Sequence, residues 1–152
     1  MAKVSTEGKT TEEKMALADE ISRGYFRQGL NCAECVLRTF MDMHDTKLPD
    51  EVICMASGFG GGMGHTKNTC GAITGAVLAL GMTKGRDPFE KEEMKDRIKQ
   101  LQGEVYPVFG SMVNEMKEQY GTLICSELSD PFGDFAGKAR KKNCMEMIAY
   151  CS

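Results

Sequence analysis

The amino-acid sequence predicts an all-α protein, an irregular multi-helix bundle in a single domain. Apolar residues recur at helical spacing in several segments, capping patterns precede some of them, and no segment alternates apolar and polar residues as a half-buried strand does. A chain of 152 residues can bury one hydrophobic core but is too short for two ordinary domains. We therefore expect one domain over residues 1–152, with residues 1 to about 10 forming a flexible N-terminus.

The first half of the chain predicts two helices followed by a loop. Thr10 and Glu13 have capping-box spacing, and the apolar residues after them predict a helix from about Thr11 to Gln28. A Gly-Leu-Asn break follows, and Cys32 lies at the start of a second helix. The glycines of Gly58–Gly64 predict a loop, because each glycine costs a helix about 1 kcal/mol relative to alanine.

The second half predicts a buried helix and a long amphipathic segment. Residues 70–80 are small and apolar, which favours a central helix that packs closely against its neighbours. Asp87, with proline next and glutamate three residues on, predicts a helix start, while Gly103 and Pro107 predict a kink midway. The apolar stripe of this segment is Met94, Ile98, Leu101, Val105, Val108, Met112 and Met116. Further helices are expected over residues 51–57, 123–128 and 135–150.

Composition excludes several classes of protein. The net charge of −3 and the short basic run at residues 138–142 give no attraction to nucleic acid. The apolar stretch of residues 72–82 is far shorter than the roughly 20 residues of a membrane span, so no membrane insertion is expected. Charged residues make up 27% of the chain and the start does not resemble a signal peptide, which favours a cytoplasmic protein. Nucleotide-binding glycine motifs and hydrolase motifs are absent from the sequence.

Seven cysteines are the most informative feature of the sequence. Their odd number fits a closed disulfide framework poorly, and in a reducing compartment clustered thiols are more often metal sites or redox centres. Four of them lie far apart on separate segments and are expected to meet in one centre: Cys32, Cys70, Cys125 and Cys144. Because a thiolate is both a soft metal ligand and a redox nucleophile, this centre points to electron transfer, thiol exchange or metal binding.

The other three cysteines are assigned weaker roles. Cys35 forms a CxxC with Cys32, but the surrounding pattern is not that of a thioredoxin, and we expect Cys35 to pack in the core. Cys54 and Cys151 have no motif around them and are also interpreted as packing residues, although Cys151 shares a helix face with Cys144. Cys70 is the strongest candidate, since it follows the glycine loop and opens a helix with little steric bulk nearby.

The run Cys70-Gly71-Ala72-Ile73-Thr74-Gly75, together with the segments Gly29–Ala33 and Ser57–Gly62, resembles the C_GCAxxG_C_C family of redox-active proteins. The likeness extends over most of the chain, and the four family cysteines match Cys32, Cys70, Cys125 and Cys144. The resemblance implies a small helical redox protein, similar to a domain of split-Soret cytochromes that is associated with an iron centre. It therefore implies an iron–sulfur cluster as the cofactor.

Three hypotheses follow for the function. In the first, the four matched cysteines ligate a [2Fe–2S] or related cluster for electron transfer, and amides near Gly60, Gly61, Gly62 and Gly71 donate to sulfur. In the second, Cys70 or Cys32 attacks a disulfide and the chain is a thiol–disulfide oxidoreductase or sensor. In the third, the four thiolates hold a structural zinc ion.

Two partners are expected from these hypotheses. A redox protein of unidentified nature would exchange electrons with the centre. A second copy of the chain would form a homodimer, because helices rich in alanine and glycine can pack closely between subunits.

Overall fold

The computed structural model describes residues 3–152 and has the all-α, single-domain architecture expected from the sequence. The seven α-helices of this range are α1 (Thr11–Arg27), α2 (Cys32–Met43), α3 (Gly71–Lys84), α4 (Met94–Gln100), α5 (Tyr106–Tyr120), α6 (Cys125–Ser129) and α7 (Lys138–Cys151). Two 3₁₀ segments, Asp50–Phe59 and Asp130–Phe132, and one π-helical turn, Leu101–Val105, complete the helical structure. Within the described range, extended backbone pairs only at an isolated antiparallel bridge between Thr69 and Ile124.

Capping boxes begin the first two helices. The Thr10 hydroxyl accepts from the Glu13 amide at 3.2 Å, and the Glu13 carboxylate accepts from the Thr10 amide at 2.7 Å, as the sequence predicted. Asn31 and Glu34 form an equivalent box, with both hydrogen bonds at 2.9 Å, which the sequence analysis did not identify. Because Asn31 is the cap, Cys32 is the first residue of α2.

The core is built around the packing of α2 on α3. Gly75 lies so close to α2 that a Cβ atom there would be 2.8 Å from the carbonyl oxygen of Ala33. Ala33, Leu37 and Ile73 are buried at this contact. Helices α1 and α7 pack on α2, and the 3₁₀ segment Asp50–Phe59 also packs against it. The small residues of α3 therefore allow close helix packing, as the composition of this segment predicted.

Two helix starts differ from the predictions, and the predicted kink takes a specific form. The helix expected at Asp87 begins at Met94: the Asp87 carboxylate does accept from the Phe89 amide at 2.8 Å, as a cap would, but the chain after it forms a turn and no helix follows there. The last helix begins at Lys138 rather than at residue 135. The predicted kink takes the form of the π-helical turn, which contains Gly103 and ends just before Pro107, a residue with no amide hydrogen to donate.

The first described residues, Lys3 and Val4, contact the rest of the protein. The Val4 amide donates to the carbonyl oxygen of Asp42 at 2.9 Å, and the Lys3 ammonium pairs with Asp50. Residues 1 and 2 lie outside the described residues, and the flexibility expected of the N-terminus stays a prediction. Among residues 3–152, no helix is both long enough and apolar enough to span a membrane.

Candidate functional site

Four cysteines from four helices line one small cavity of about 20 Å³. Cys32 is the first residue of α2, Cys70 is the N-cap of α3, Cys125 begins α6, and Cys144 lies within α7. These are the four cysteines that the sequence analysis expected to meet. The N-termini of α2 and α3 both open at this cavity, so their dipoles favour negative charge on the sulfur atoms there.

Backbone pairing holds Cys70 beside Cys125. The Cys70 amide donates to the carbonyl oxygen of Leu123 at 2.8 Å, and the Cys125 amide donates to that of Asn68 at 2.6 Å. The isolated bridge between Thr69 and Ile124 lies between these two hydrogen bonds. The segment before α3 and the segment before α6 therefore form a short two-stranded contact that fixes the spacing of the two thiols.

Glycines allow the backbone to approach the thiols. A Cβ atom at Gly71 would lie 2.4 Å from the Cys32 sulfur, and one at Gly62 would lie 2.7 Å from the Cys125 Cβ. The Gly61 amide donates a hydrogen bond to the Cys32 sulfur. Gly60 instead contacts the side chain of Asn31, the cap of α2. Of the four glycines predicted to border the cofactor, three therefore adjoin a cysteine of the cavity, and Gly60 supports the helix that carries one.

Burial makes most of these thiols poor nucleophiles. Desolvation raises the pKa of Cys70 to about 12 and that of Cys144 to about 11, because the charged thiolate is disfavoured away from water. The pKa of Cys32 is also raised by burial, and the hydrogen bond from Gly61 opposes this only in part. Near neutral pH these three thiols are therefore protonated unless a cationic group compensates their charge.

Arg140 places a buried cation at the same cavity. Its side chain lines the cavity with the cysteines, and only 7% of the residue is exposed. The guanidinium lies 3.1 Å from the ring centroid of Phe135 and donates to the carbonyl oxygen of Phe135 at 2.9 Å. Its Nε atom is buried and has no hydrogen-bond partner among residues 3–152. The charge of Arg140 lowers the pKa of Cys144, which opposes the effect of burial.

The sequence analysis did not find Arg140 or the uncharged residues that complete the cavity wall. These further residues are Leu128, Ser129, Asn143 and Met147. Arg140 belongs to the basic run that was considered only for nucleic acid. Its position four residues before Cys144 on one predicted helix was the available signal, since residues at this spacing share a face.

The remaining three cysteines occupy different environments. Cys35 is fully buried, with its sulfur 3.6 Å from the carbonyl oxygen of Leu30, which confirms the packing role predicted for it. Cys54 is exposed on the first 3₁₀ segment, so the expectation that it packs in the core is wrong. Cys151 packs against the core cluster that contains Cys70, as expected, and burial raises its pKa.

The four thiols meet at one cavity but do not stand in a ready-made metal-binding arrangement. Among residues 3–152, no three Cys, His, Asp or Glu side chains are arranged to hold one metal ion. The cavity has room for about one water molecule, so a bound group would require the cysteine side chains to move outward. The donor set is nevertheless that of a cluster site, because four thiols, helix N-termini and amide donors surround one point.

The fold and the site define a small, cysteine-rich, all-α protein with thiols gathered at one buried centre. The chain belongs to the family described as "Putative redox-active protein (C_GCAxxG_C_C)", whose sequence pattern matches residues 30–152. It is also similar to an uncharacterized protein of Archaeoglobus fulgidus, with 22% identity over 119 residues that cover 78% of each chain. No solved structure matches the chain.

Proposed function

We propose that this redox-active protein transfers electrons through an iron–sulfur cluster ligated by Cys32, Cys70, Cys125 and Cys144. A cluster of the [2Fe–2S] type fits four thiolates, and when bound it supplies a one-electron couple. The observation that carries the proposal is the meeting of these four thiols with a buried, incompletely paired guanidinium at one cavity. A reducing compartment such as the cytoplasm suits this proposal, because thiols persist there.

The charge of the site supports a bound anionic group. A cluster held by four thiolates is negatively charged, and a buried cation without a full set of partners is costly unless such a charge is present. Arg140 is the only charged side chain among the cavity-lining residues described. It therefore supplies the compensation that a thiolate-ligated group needs.

The residues around the thiols have separate roles in this proposal. Gly61 donates its amide to the Cys32 sulfur, which reduces the electron density that this ligand supplies. Gly71 and Gly62 leave space beside Cys32 and Cys125 that any larger residue would fill. Phe135 holds the Arg140 guanidinium in place.

Thiol–disulfide exchange is less well supported as the function. A thiol that attacks a disulfide needs access to its substrate and a pKa near the ambient pH. Cys70 is 7% exposed and its pKa is raised to about 12, and the pKa of Cys32 is also raised. A metal centre does not have this difficulty, because coordination deprotonates a thiol directly.

Structural zinc is the other alternative. A zinc ion requires four ligands around one point at about 2.3 Å from each sulfur. Zinc has no redox chemistry, whereas the family to which the chain belongs is described as redox-active. We therefore rank zinc below the cluster.

The test is anaerobic purification followed by measurement of iron, acid-labile sulfide and visible absorption. We expect iron and sulfide in equal amounts and a visible charge-transfer band, which Cys→Ser at position 32, 70, 125 or 144 removes. Cys54→Ser is the matched control, since Cys54 is exposed and away from the cavity. Far-UV circular dichroism checks that each variant remains helical. A wild-type protein that stays colourless after reconstitution with iron and sulfide, or that binds only zinc, contradicts the proposal.

A further inference from the structure

The glycine-rich segment that precedes α3 has an unusual backbone conformation. Six of the seven residues 61–67 have positive φ, and three of these are not glycine: Met63 at 65°, His65 at 65° and Lys67 at 60°. Left-handed backbone is uncommon for residues that carry a side chain, and it costs free energy that the surrounding structure must offset. Residues held in this way cluster at ligand clamps and switch regions, which marks this segment as a candidate for movement.

The inner side of the segment adjoins two cysteines of the cavity. The Gly61 amide donates to the Cys32 sulfur. Gly62 is buried against Cys125, where a Cβ atom on the glycine would lie 2.7 Å from the Cβ of the cysteine. The four residues that follow, 63–66, are exposed. On this side, the segment therefore stands between the two cysteines and solvent.

The backbone hydrogen bonds of the exposed part are made within the segment itself. The amides of residues 63–66 donate to carbonyl oxygens of residues 58–63, at 2.8–3.3 Å. The Thr66 hydroxyl also donates to the carbonyl oxygen of Gly62, at 2.9 Å. Exposed segments that draw little support from the core open locally at a lower free energy than the whole protein unfolds. This segment has that character.

An aromatic stack and an ion pair hold the segment against its neighbours. The His65 ring lies on the Phe135 ring with 3.8 Å between centroids, and Lys67 pairs with Asp130 at 2.8 Å. The Arg140 guanidinium lies 3.1 Å from the centre of the same Phe135 ring. Two groups so near one ring centre cannot share a face, so Phe135 lies between His65 and Arg140. The layers from solvent to the cavity are therefore His65, Phe135 and Arg140.

Part of the cavity wall must move before a group larger than one water molecule can enter. The cavity has a volume of about 20 Å³, and Cys70 and Cys125 are only 7% and 6% exposed. Ala72 of α3 and Met147 of α7, which form other parts of the wall, belong to the buried core. The glycine-rich segment is exposed, strained and held at its outer side by surface contacts, so it is the part that can move without disturbing the core.

We propose that residues 61–66, which we call the lid, open to admit iron and sulfide to the thiols and then close again. The stack of His65 on Phe135, which we call the latch, keeps the lid closed. Lids of this kind open without global unfolding, because the bonds they break are few and local. The loading role rests on the proposed cluster, whereas the opening of the lid is independent of any cofactor.

Thiol labelling of the metal-free, full-length protein tests the opening. N-ethylmaleimide and peptide mass spectrometry follow each cysteine separately. Cys125 should react far more slowly than exposed Cys54, but at least about tenfold faster than Cys35, which is fully buried and reacts only when the protein unfolds. Low concentrations of urea should accelerate the reaction of Cys35 and leave that of Cys125 nearly unchanged. A Cys125 rate equal to that of Cys35 overturns the proposal.

Removal of the latch should speed the labelling of Cys125. His65→Asn removes the ring but keeps a residue that tolerates left-handed backbone. We expect the Cys125 rate to rise about two- to tenfold, the effect of losing one aromatic contact. Lys67→Asn removes the ion pair with Asp130 and should act in the same direction. Far-UV circular dichroism and the urea midpoint check that each variant folds.

His44→Asn is the matched control for the latch variant. His44 is also exposed and its ring also stacks on a phenylalanine, Phe40 at 4.3 Å, but it borders a different cavity. This control should label like the wild type. Unchanged Cys125 rates in both His65→Asn and Lys67→Asn contradict the lid, and so does an equal acceleration of Cys125 and Cys35.

Reconstitution with iron and sulfide tests the loading role. His65→Asn should develop the visible band faster than the wild type and reach the same iron content, while His44→Asn should match the wild type in both. Equal rates of band formation in His65→Asn and in the wild type, despite faster labelling of Cys125, would contradict loading through the lid. A protein that takes up no cluster but shows the expected labelling would contradict the proposed function while supporting the lid.

Discussion

Gly71 stands so close to Cys32 that a Cβ atom at position 71 would lie 2.4 Å from the Cys32 sulfur and 2.8 Å from the Phe59 carbonyl oxygen. The first glycine of the CGAxxG run is therefore required by the approach of α3 to the start of α2. The motif and the distant Cys32 are two parts of one packing arrangement, although 38 residues lie between Cys32 and Gly71 in the sequence.

We expect Gly71→Ala to destabilise the protein by about 1–3 kcal/mol, because the added methyl group overpacks a filled site. Gly81→Ala in the same helix meets nothing within 4 Å and should stabilise it by about 0.5–1 kcal/mol. Urea denaturation of both variants measures the difference. Equal effects at the two positions would falsify the close-approach role of Gly71. Iron content, measured separately, should fall only in Gly71→Ala.

We expect Arg140→Met to lower the reduction potential of the reconstituted centre. Reduction adds an electron, and a nearby positive charge stabilises the reduced form, so its loss makes reduction harder. The shift should be on the order of 59 mV, which for one electron corresponds to a tenfold change in equilibrium constant. Arg140→Lys should have a reduction potential close to that of the wild type, because the positive charge remains.

Lys138→Met is the matched control for Arg140→Met, because Lys138 is exposed on the same helix. Spectroelectrochemical titration gives the potentials of all three variants. An identical potential in Arg140→Met and in Lys138→Met would show that the guanidinium does not act on the centre.

Chemical labelling should divide the seven cysteines into two groups in the metal-free native protein. Cys54 is exposed, whereas the other six are buried or half-buried. The pKa values of Cys35 and Cys70 are raised to about 12, so little thiolate is present near neutral pH. We expect one fast-reacting thiol with a disulfide reagent, absent in Cys54→Ser, and seven after unfolding. Rapid reaction of Cys70 or Cys32 would instead favour thiol exchange as the function.

The pairing of α1 with α7 through Arg23 should make stability fall in acid. Arg23 donates to Asp19 at 2.7 Å and to Glu146 at 2.8 Å, and these hydrogen bonds lower the pKa of both carboxyl groups. A depressed carboxyl pKa contributes stability above the unfolded value, near pH 4, and that contribution is lost as the pH falls through the folded value.

We therefore expect Arg23→Gln to lower the melting temperature at pH 7. Between pH 5 and pH 3 the melting temperature of this variant should fall by less than that of the wild type. Melting curves at several pH values measure both effects. Lys47→Gln, at an exposed position, should follow the wild-type profile. A parallel displacement of the whole Arg23→Gln profile, without a change in its slope, would argue against the carboxyl linkage.

The sequence alone predicted the features that depend on local rules. Apolar spacing and the capping box at Thr10 predicted α1, and the break at residues 29–31 predicted the start of α2 at Cys32. The glycine and alanine content of residues 70–80 predicted a closely packed central helix, as Gly75 against Ala33 confirms. Such patterns are readable because helical periodicity and caps act within a few residues.

Other features required the tertiary structure, because they arise between segments distant in the chain. Asp87 has the sequence of a helix cap and accepts from the Phe89 amide, yet the chain turns there and the helix begins only at Met94. Arg140 was noted in the sequence only as one member of a short basic run, yet it packs on Phe135 and is buried at the cysteine cavity. The gathering of four cysteines was expected from their chemistry and family pattern. The packing of α2, α3, α6 and α7 decided which amides, glycines and charged group surround them. Spacing along the chain identifies which residues can act, whereas only folding determines what lies within a few ångströms of them.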